Sequence, residues 1–217
     1  MKQYLPLLAI GFVCILVGAG LYLKPLLPLT PSGSPQPASV GSLPLQGERH
    51  VEQAHGYSVI IPHNLELQRT SSYSAQLITK NQPLSQGPAN LIYLSAIPPQ
   101  SNNEGEIYNY SHRTFTMLQP LEIGKSVSLS DSGQPEFDRW LTYTRVDDVT
   151  IDGLTVKSYE NTEPWEFPTG TTERRFLLEH NGYRYVFGYF TGGEGVGTAA
   201  IDPREALAII QSIDLTP

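Results

Sequence analysis

Apolar residues are distributed along this chain in three regimes. From Tyr4 to Leu23 they run without a charge for 20 positions, between Lys2 and Lys24, and eleven of them are Leu, Ile, Val or Phe. At 1.5 Å per residue such a run covers about 30 Å, the thickness of a bilayer's hydrocarbon core, and predicts one transmembrane helix. Residues 25–47 come next, with prolines at 25, 28, 31, 35, 37 and 44 among Ser, Gly and Thr. This composition leans to extended polyproline II at ~3.1 Å per residue and reads as a tether with a reach of about 70 Å. From residue 48 onward, short apolar stretches alternate with turn residues, the pattern of a folded domain.

Within residues 48–217 the pattern predicts strands at 57–61, 65–69, 75–79 and 91–97, the last closed by Pro98-Pro99. A short helix is expected over 107–119. A second is expected over Asp131–Arg145, where Pro135 suits a first turn, Glu136 and Asp138 suit the positive end of the dipole, and Phe137, Trp140 and Leu141 share a face. Ile151–Gly153 then turns into a strand over 154–161. Asn181-Gly182 separates Arg175–His180 from Tyr183–Phe190 and supplies the positive φ angles of a two-residue hairpin turn. Tyr183, Tyr185, Phe187 and Tyr189 fall on one face of that hairpin. Asp202, Pro203 and Glu205 form a capping-box pattern that opens a last helix to about Ser212, with Leu207, Ile210 and Ile213 facing a sheet. The expected fold is α+β: an antiparallel sheet of about seven strands with two or three helices.

The first strand, Gly56-Tyr-Ser-Val-Ile-Ile-Pro62, and the closing Ala208-Ile-Ile-Gln-Ser-Ile-Asp214 resemble the two ends of the PsbP-like family and its relatives among exported bacterial domains. The resemblance implies an α/β/α sandwich around an antiparallel sheet. It also implies a binding or accessory role, since members serve mainly as such subunits, and it transfers no functional residue.

Charge narrows location and partners. Lys2 and Lys24 are the only charged side chains in residues 1–24, so residues 25–217 carry 12 basic against 21 acidic side chains, a net of −9. A domain with this balance repels nucleic acid and anionic headgroups. The positive-inside bias leans toward a cytoplasmic N-terminus and an extracytoplasmic C-terminal domain. A cleaved secretory signal is the rival, with Val17 and Ala19 before a cut at Gly20, and it exports the domain equally. The single cysteine, Cys14, lies inside the apolar run, so the domain has no internal disulfide.

Candidate chemistry is sparse. Thr191-Gly-Gly-Glu-Gly-Val-Gly197 lacks the Lys-Ser/Thr ending of a phosphate loop. Ser128, Ser130, Ser132 and His180 are available to a cell-envelope hydrolase, but no Gly-x-Ser-x-Gly elbow presents a nucleophile. No catalytic residue is assigned and no cofactor is expected. Histidine and carboxylate alternate at Glu48, His50, Glu52 and His55, which makes His50, Glu52 and His55 weak metal candidates for a ligand-sensing module. Solvated surface residues at the domain's edge are the plainer reading, and no metal is expected. The strongest feature is the loop Glu163-Pro-Trp165-Glu-Phe167-Pro168-Thr-Gly170. Trp165, Glu166 and Phe167 between prolines form an amphipathic projection of the kind that fills a partner's pocket. The expectation is therefore a membrane-anchored extracytoplasmic domain that binds an envelope component and performs no catalysis.

Overall fold

The computed structural model describes residues 44–80, 92–98, 113–130, 140–164, 167, 169–192 and 201–215. The apolar run at 4–23 and most of the tether lie outside them. Among the described residues no helix is long and apolar enough to cross a membrane.

Ten strands and two helices make up the described domain: β1 (Gly47–Glu52), β2 (Tyr57–Pro62), β3 (Leu65–Arg69), β4 (Ser74–Thr79), β5 (Ile92–Ile97), α1 (113–118), β6 (Ser126–Ser130), β7 (Trp140–Ile151), β8 (Leu154–Asn161), β9 (Thr171–His180), β10 (Tyr183–Gly192) and α2 (Pro203–Gln211). Strands β3 to β10 form one eight-stranded antiparallel sheet in the order β3-β4-β5-β10-β9-β8-β7-β6, and β1 and β2 pair separately. The expected first strand over 57–61 thus belongs to a hairpin lying outside the main sheet. Its partner β1 occupies the stretch expected to be solvated edge.

Two turns are built as the residues dictate. Asn181 and Gly182 have φ of 48° and 80°, and Asp152 and Gly153 have 48° and 73°. Both pairs give the twist that joins β9 to β10 and β7 to β8 in two residues.

The helix expected over Asp131–Arg145 is a correction. Residues 140–151 form the twelve-residue strand β7, while 131–139 lie outside the described residues. Burial alternates along it: Thr142 is exposed, Tyr143 and Arg145 are buried, and Thr144 is intermediate. Period-two burial and the β-branched Thr142, Thr144 and Val146 override cap-like residues further upstream. Strand β6, Ser-Val-Ser-Leu-Ser, is a further edge strand that pairs with β7 from Ser126↔Thr144 to Ser130↔Trp140.

Each face of the sheet has its own cover. On one, Leu77, Ile92, Leu94, Phe176, Tyr185, Phe187 and Tyr189 pack with Tyr57 and Val59 of β2 and Ile209, Ile210 and Ile213 at the end of α2. This is the hairpin face. On the opposite face, Ile97, Leu129, Tyr143, Tyr159, Leu177 and Val186 pack with Phe115 and Leu118 of α1. The arrangement is α+β and broadly sandwich-like.

The chain end closes the hairpin face. Ser58 and Asp214 exchange backbone hydrogen bonds of 2.8 and 2.9 Å, and Ile60 N donates to Ser212 Oγ at 3.0 Å. Tyr185 Oη donates to His55 O at 3.0 Å, which fixes the 3-10 turn Gln53–His55 to the sheet.

Candidate functional site

Strand register creates an arrangement with no counterpart in local sequence. Gln68 pairs with Gln76, Gln76 with Tyr93, Tyr93 with Gly188, Gly188 with Arg175, Arg175 with Tyr159, and Tyr159 with Arg145. Directly paired residues share a face, so these seven positions form one transverse row on the α1 face. Six inter-strand steps give the row a length of ~29 Å. Its chemistry changes from end to end: uncharged and half-exposed at β3 and β4, and buried at β9 to β7, where two arginines flank the Tyr159 phenol.

The buried part centres on Glu173 and Arg175, which are 2% and 8% exposed. Arg175 donates to Glu173 Oε1 through Nε at 2.9 Å and Nη2 at 2.7 Å. Tyr93 Oη donates to Oε1 at 2.5 Å and Tyr143 Oη to Oε2 at 2.7 Å. The guanidinium also lies over the Tyr143 ring, 4.6 Å from its centroid. A carboxylate removed from water needs such a set of donors, because desolvation otherwise outweighs the attraction of one cation. Burial pushes the Tyr93 hydroxyl well above 10, against the lowering pull of Arg175 and with Glu173 adding to the rise. It therefore remains a hydrogen-bond donor through the physiological range.

Gly188 makes the reach of Tyr93 possible. A Cβ there would collide with the Tyr93 hydroxyl and ring, and would lie 2.7 Å from Arg174 O. The missing side chain lets Tyr93 cross β10 to Glu173 on β9.

At its charged end the row also fixes the C-terminal end of α1, together with Lys157. Tyr159 Oη donates to Leu118 O at 2.9 Å, Lys157 Nζ to Gln119 O at 2.5 Å, and Arg145 Nη1 to Leu121 O at 2.8 Å. Carbonyls at and just past the helix C-terminus are thus met by two cations and a phenol, the phenol joining Leu121 N on Leu118 O, and cations are the charge that the dipole favours there.

The loop singled out in the sequence comes down beside this cluster. Glu163 N donates to Asn161 Oδ1 at 3.0 Å as the chain leaves β8. Phe167 then stacks on Phe190 with centroids 4.0 Å apart and planes at 15°, and Phe190 lies 5.7 Å from Tyr93. Phe167 is half-buried. Trp165 and Glu166 lie outside the described residues.

The other sequence candidates fall in two places. Glu52 and His55 are buried at 5% and 8% exposure, which corrects the reading of this stretch as solvated surface. The Glu52 carboxylate has His55 Nδ1 at 3.5 Å, His50 Nε2 at 3.8 Å and the Arg69 guanidinium as an ion-pair partner. Register and turn bring His50, Glu52 and His55 together, but Arg69 supplies the positive charge where a metal would sit. Among the described residues no group of three or more such ligands is placed to hold a metal ion. Ser128 lies on edge strand β6, within 2.9 Å of Thr142 Oγ1 in a cross-strand pair. His180 ends β9, three strands away and at the opposite end of the sheet. The separation is ~14 Å across the strands and ~26 Å along them, so these two residues cannot act on one substrate atom.

Neither Glu173, Arg175 and Tyr93 nor Gln68 and Gln76 stand out in the sequence, because register alone joins them. Gly188 is the nearest available signal, since a glycine inside an aromatic strand marks a close approach.

No family model matches the chain, and no curated protein matches it. A solved structure similar to it is a crystal structure at 1.50 Å resolution from Bacteroides thetaiotaomicron VPI-5482, with a TM-score of 0.38 and 9% identity. The match covers 78% of this chain and 48% of that one, so this chain spans about half of that chain's length.

Proposed function

We propose that the chain is a membrane-tethered, extracytoplasmic binding or accessory domain that acts without catalysis. The observation that carries the binding role is the aromatic cluster Phe167–Phe190–Tyr93, half-exposed and seated on the buried Glu173–Arg175 pair. Aromatic groups held on a rigid, hydrogen-bonded base are the usual anchors of recognition, because little side-chain freedom is lost on contact. The uncharged run at 4–23, the tether at 25–47 and the net −9 of residues 25–217 support a domain held outside the membrane and away from nucleic acid. The PsbP-like resemblance of Gly56–Pro62 and Ala208–Asp214 supports the accessory role.

Fractionation tests the location. The full-length chain is expected in the membrane pellet, resistant to salt extraction, with residues 48–217 cleaved by protease added to spheroplasts. Recovery in soluble cytosol, protected from that protease, overturns the proposal. Cross-linking of the intact chain in cells tests the role: Phe167→Ala should weaken capture of the partner, and undiminished capture removes the loop from the site.

A further inference from the structure

The open end of the transverse row has a chemistry of its own, and this inference rests on the proposed binding role. Gln76 Nε2 donates to Gln68 Oε1 at 2.8 Å, which leaves Gln76 Oε1 as an acceptor and Gln68 Nε2 as a donor at the half-exposed surface. One row along, Ser74 Oγ and Ser95 Oγ are 2.8 Å apart, also half-exposed. Tyr93 adjoins Gln76 on the next strand and carries the lane to Phe190 and Phe167. The lane from Gln68 to Tyr93 is two strand steps or ~10 Å wide, and Gln68, Gln76, Ser74 and Ser95 bring no formal charge to it.

We propose that this lane binds an uncharged, hydroxyl- and acetamide-bearing glycan strand, of the kind found in cell-envelope polymers. Amides and hydroxyls that both donate and accept match sugar hydroxyls and acetamides group for group. The adjoining aromatic rings offer faces to the apolar side of a sugar ring. Charge complementarity selects among occupants. An anionic partner meets amides and hydroxyls in the lane, with the exposed Glu66 two residues before Gln68 on the same strand face, and residues 25–217 are net −9. A protein partner needs a desolvated apolar centre, yet among the described residues the large exposed apolar side chains Val51, Met117 and Ile123 belong to β1, α1 and the α1–β6 turn, and none to the strands of the lane. A tether reaching about 70 Å would carry the lane past the headgroups into the polymer layer.

Co-sedimentation of the full-length chain in nanodiscs tests this. The probes are peptidoglycan sacculi stripped of anionic secondary polymers, a neutral β-glucan, and protein-free nanodiscs as a control. Wild type is expected to sediment with the sacculi, and salt at about 0.5 M should not release it, because no ion pair contributes. The double variant Gln68→Ala/Gln76→Ala should lose at least about tenfold in apparent affinity while keeping its thermal transition. Tyr93→Phe, which keeps the ring and removes a hydroxyl already bonded to Glu173 and Arg175, should bind the sacculi as wild type does. Absence of wild-type binding to the sacculi overturns the proposal, as do binding to the acetamide-free β-glucan as strong as to the sacculi, equal binding by the double variant, or release by salt. Cross-linking to a protein alone also overturns it. A chain that is membrane-bound and protease-accessible yet fails on sacculi sinks the glycan lane and leaves the exported binding domain standing; a cytosolic chain sinks both.

Discussion

The two faces of the eight-stranded sheet are closed by different physics. The hairpin face is sealed by shape and apolar area, with Tyr185, Phe187, Leu94 and Ile209 buried against β2 and α2. The α1 face places the charged and phenolic groups Glu173, Arg175, Tyr143, Tyr159 and Arg145 under cover; the first four are held by named partners, and Arg145 donates through Nη1 and Nη2 while its Nε is left without one. Apolar packing tolerates change of identity at constant volume. A buried polar network does not, because removing one member strands the others. The first face therefore holds the fold together, and the second fixes particular groups in particular places. The recognition proposed at the margin of the second face would draw on that positional control.

Alkaline titration tests both faces at once and carries the largest effect. Burial pushes Tyr57 and Tyr185 on the hairpin face, and Tyr159 on the α1 face, up to about 12. Their folded values lie above the ordinary 10, so the stability they contribute is complete below about pH 10 and is lost as pH rises toward 12. With all three titrating in the unfolded chain alone, stability falls by roughly 4 kcal/mol per pH unit in that window. Tyrosinate absorbance from these three should appear together with loss of the circular dichroism signal. Ionisation of Tyr159 near 10 in the folded protein would mean that the α1 face admits water and that its polar groups are not under cover.

Matched truncations sharpen the contrast. Phe187→Ala should cost about 3–5 kcal/mol, transfer and cavity terms combined. Glu173→Ala should cost a similar ~3–5 kcal/mol, for a different reason: Arg175 is left buried without its carboxylate. The distinguishing variant is Glu173→Leu/Arg175→Met, which should recover much of the second loss, since no charge remains to be compensated. Denaturant unfolding measures all three. Failure of the double variant to improve on Glu173→Ala would show that the network also positions groups the fold requires.

Gly188→Ala should cost about 1–3 kcal/mol through overpacking. The added carbon displaces the Tyr93 ring and with it the hydroxyl bonded to Glu173. The fluorescence and ionisation of Tyr93 should shift toward those of a surface tyrosine, and an unchanged Tyr93 would mean that its ring does not depend on the glycine.

Legibility in the sequence tracks the range of the interactions. The β9–β10 hairpin is readable because Asn181-Gly182 encodes its turn in two adjacent residues, and the runs beside it are rich in apolar and aromatic residues. Strands β3, β4 and β5 are readable for the same local reasons. Strand β7 misleads because Pro135, Glu136 and Asp138 read as a helix start whose pattern extends through Arg145, whereas Thr142, Tyr143 and Thr144 take their strand geometry from pairing with neighbouring strands. Strand β1 escapes notice because Glu-Arg-His-Val-Glu carries no apolar alternation; its pairing with β2 and the burial of Glu52 supply what the pattern lacks. At the site, Phe167 alone stands out from its local sequence. Gln68, Gln76, Tyr93 and Arg175 span more than a hundred positions, and nothing short of the full strand order brings them into one row.

The smallest effect lies at α2, where a local signal is almost sufficient. Asp202 caps the helix by accepting from Arg204 N at 2.8 Å, and the Arg204 side chain closes on the same carboxylate with Nη2 to Oδ2 at 2.7 Å. The capping-box pattern places Glu205 as the cap's partner, whereas Arg204 takes that part in the structure. Hydrogen bonds from the Arg204 side chain and backbone hold the Asp202 carboxyl at about 2. The folded value lies below the ordinary one, so the contribution is present above about pH 4 and disappears as pH falls toward 2. Asp202→Ala should lower the thermal midpoint by a few degrees at neutral pH and by nothing near pH 2. Asp202→Asn, which keeps an accepting oxygen and removes the charge, should retain most of the cap and flatten the acid limb. Because α2 covers the hairpin face alone, neither change should alter Tyr159 ionisation or binding at the lane. A cap variant that disturbed either would show that the two faces are coupled through the sheet.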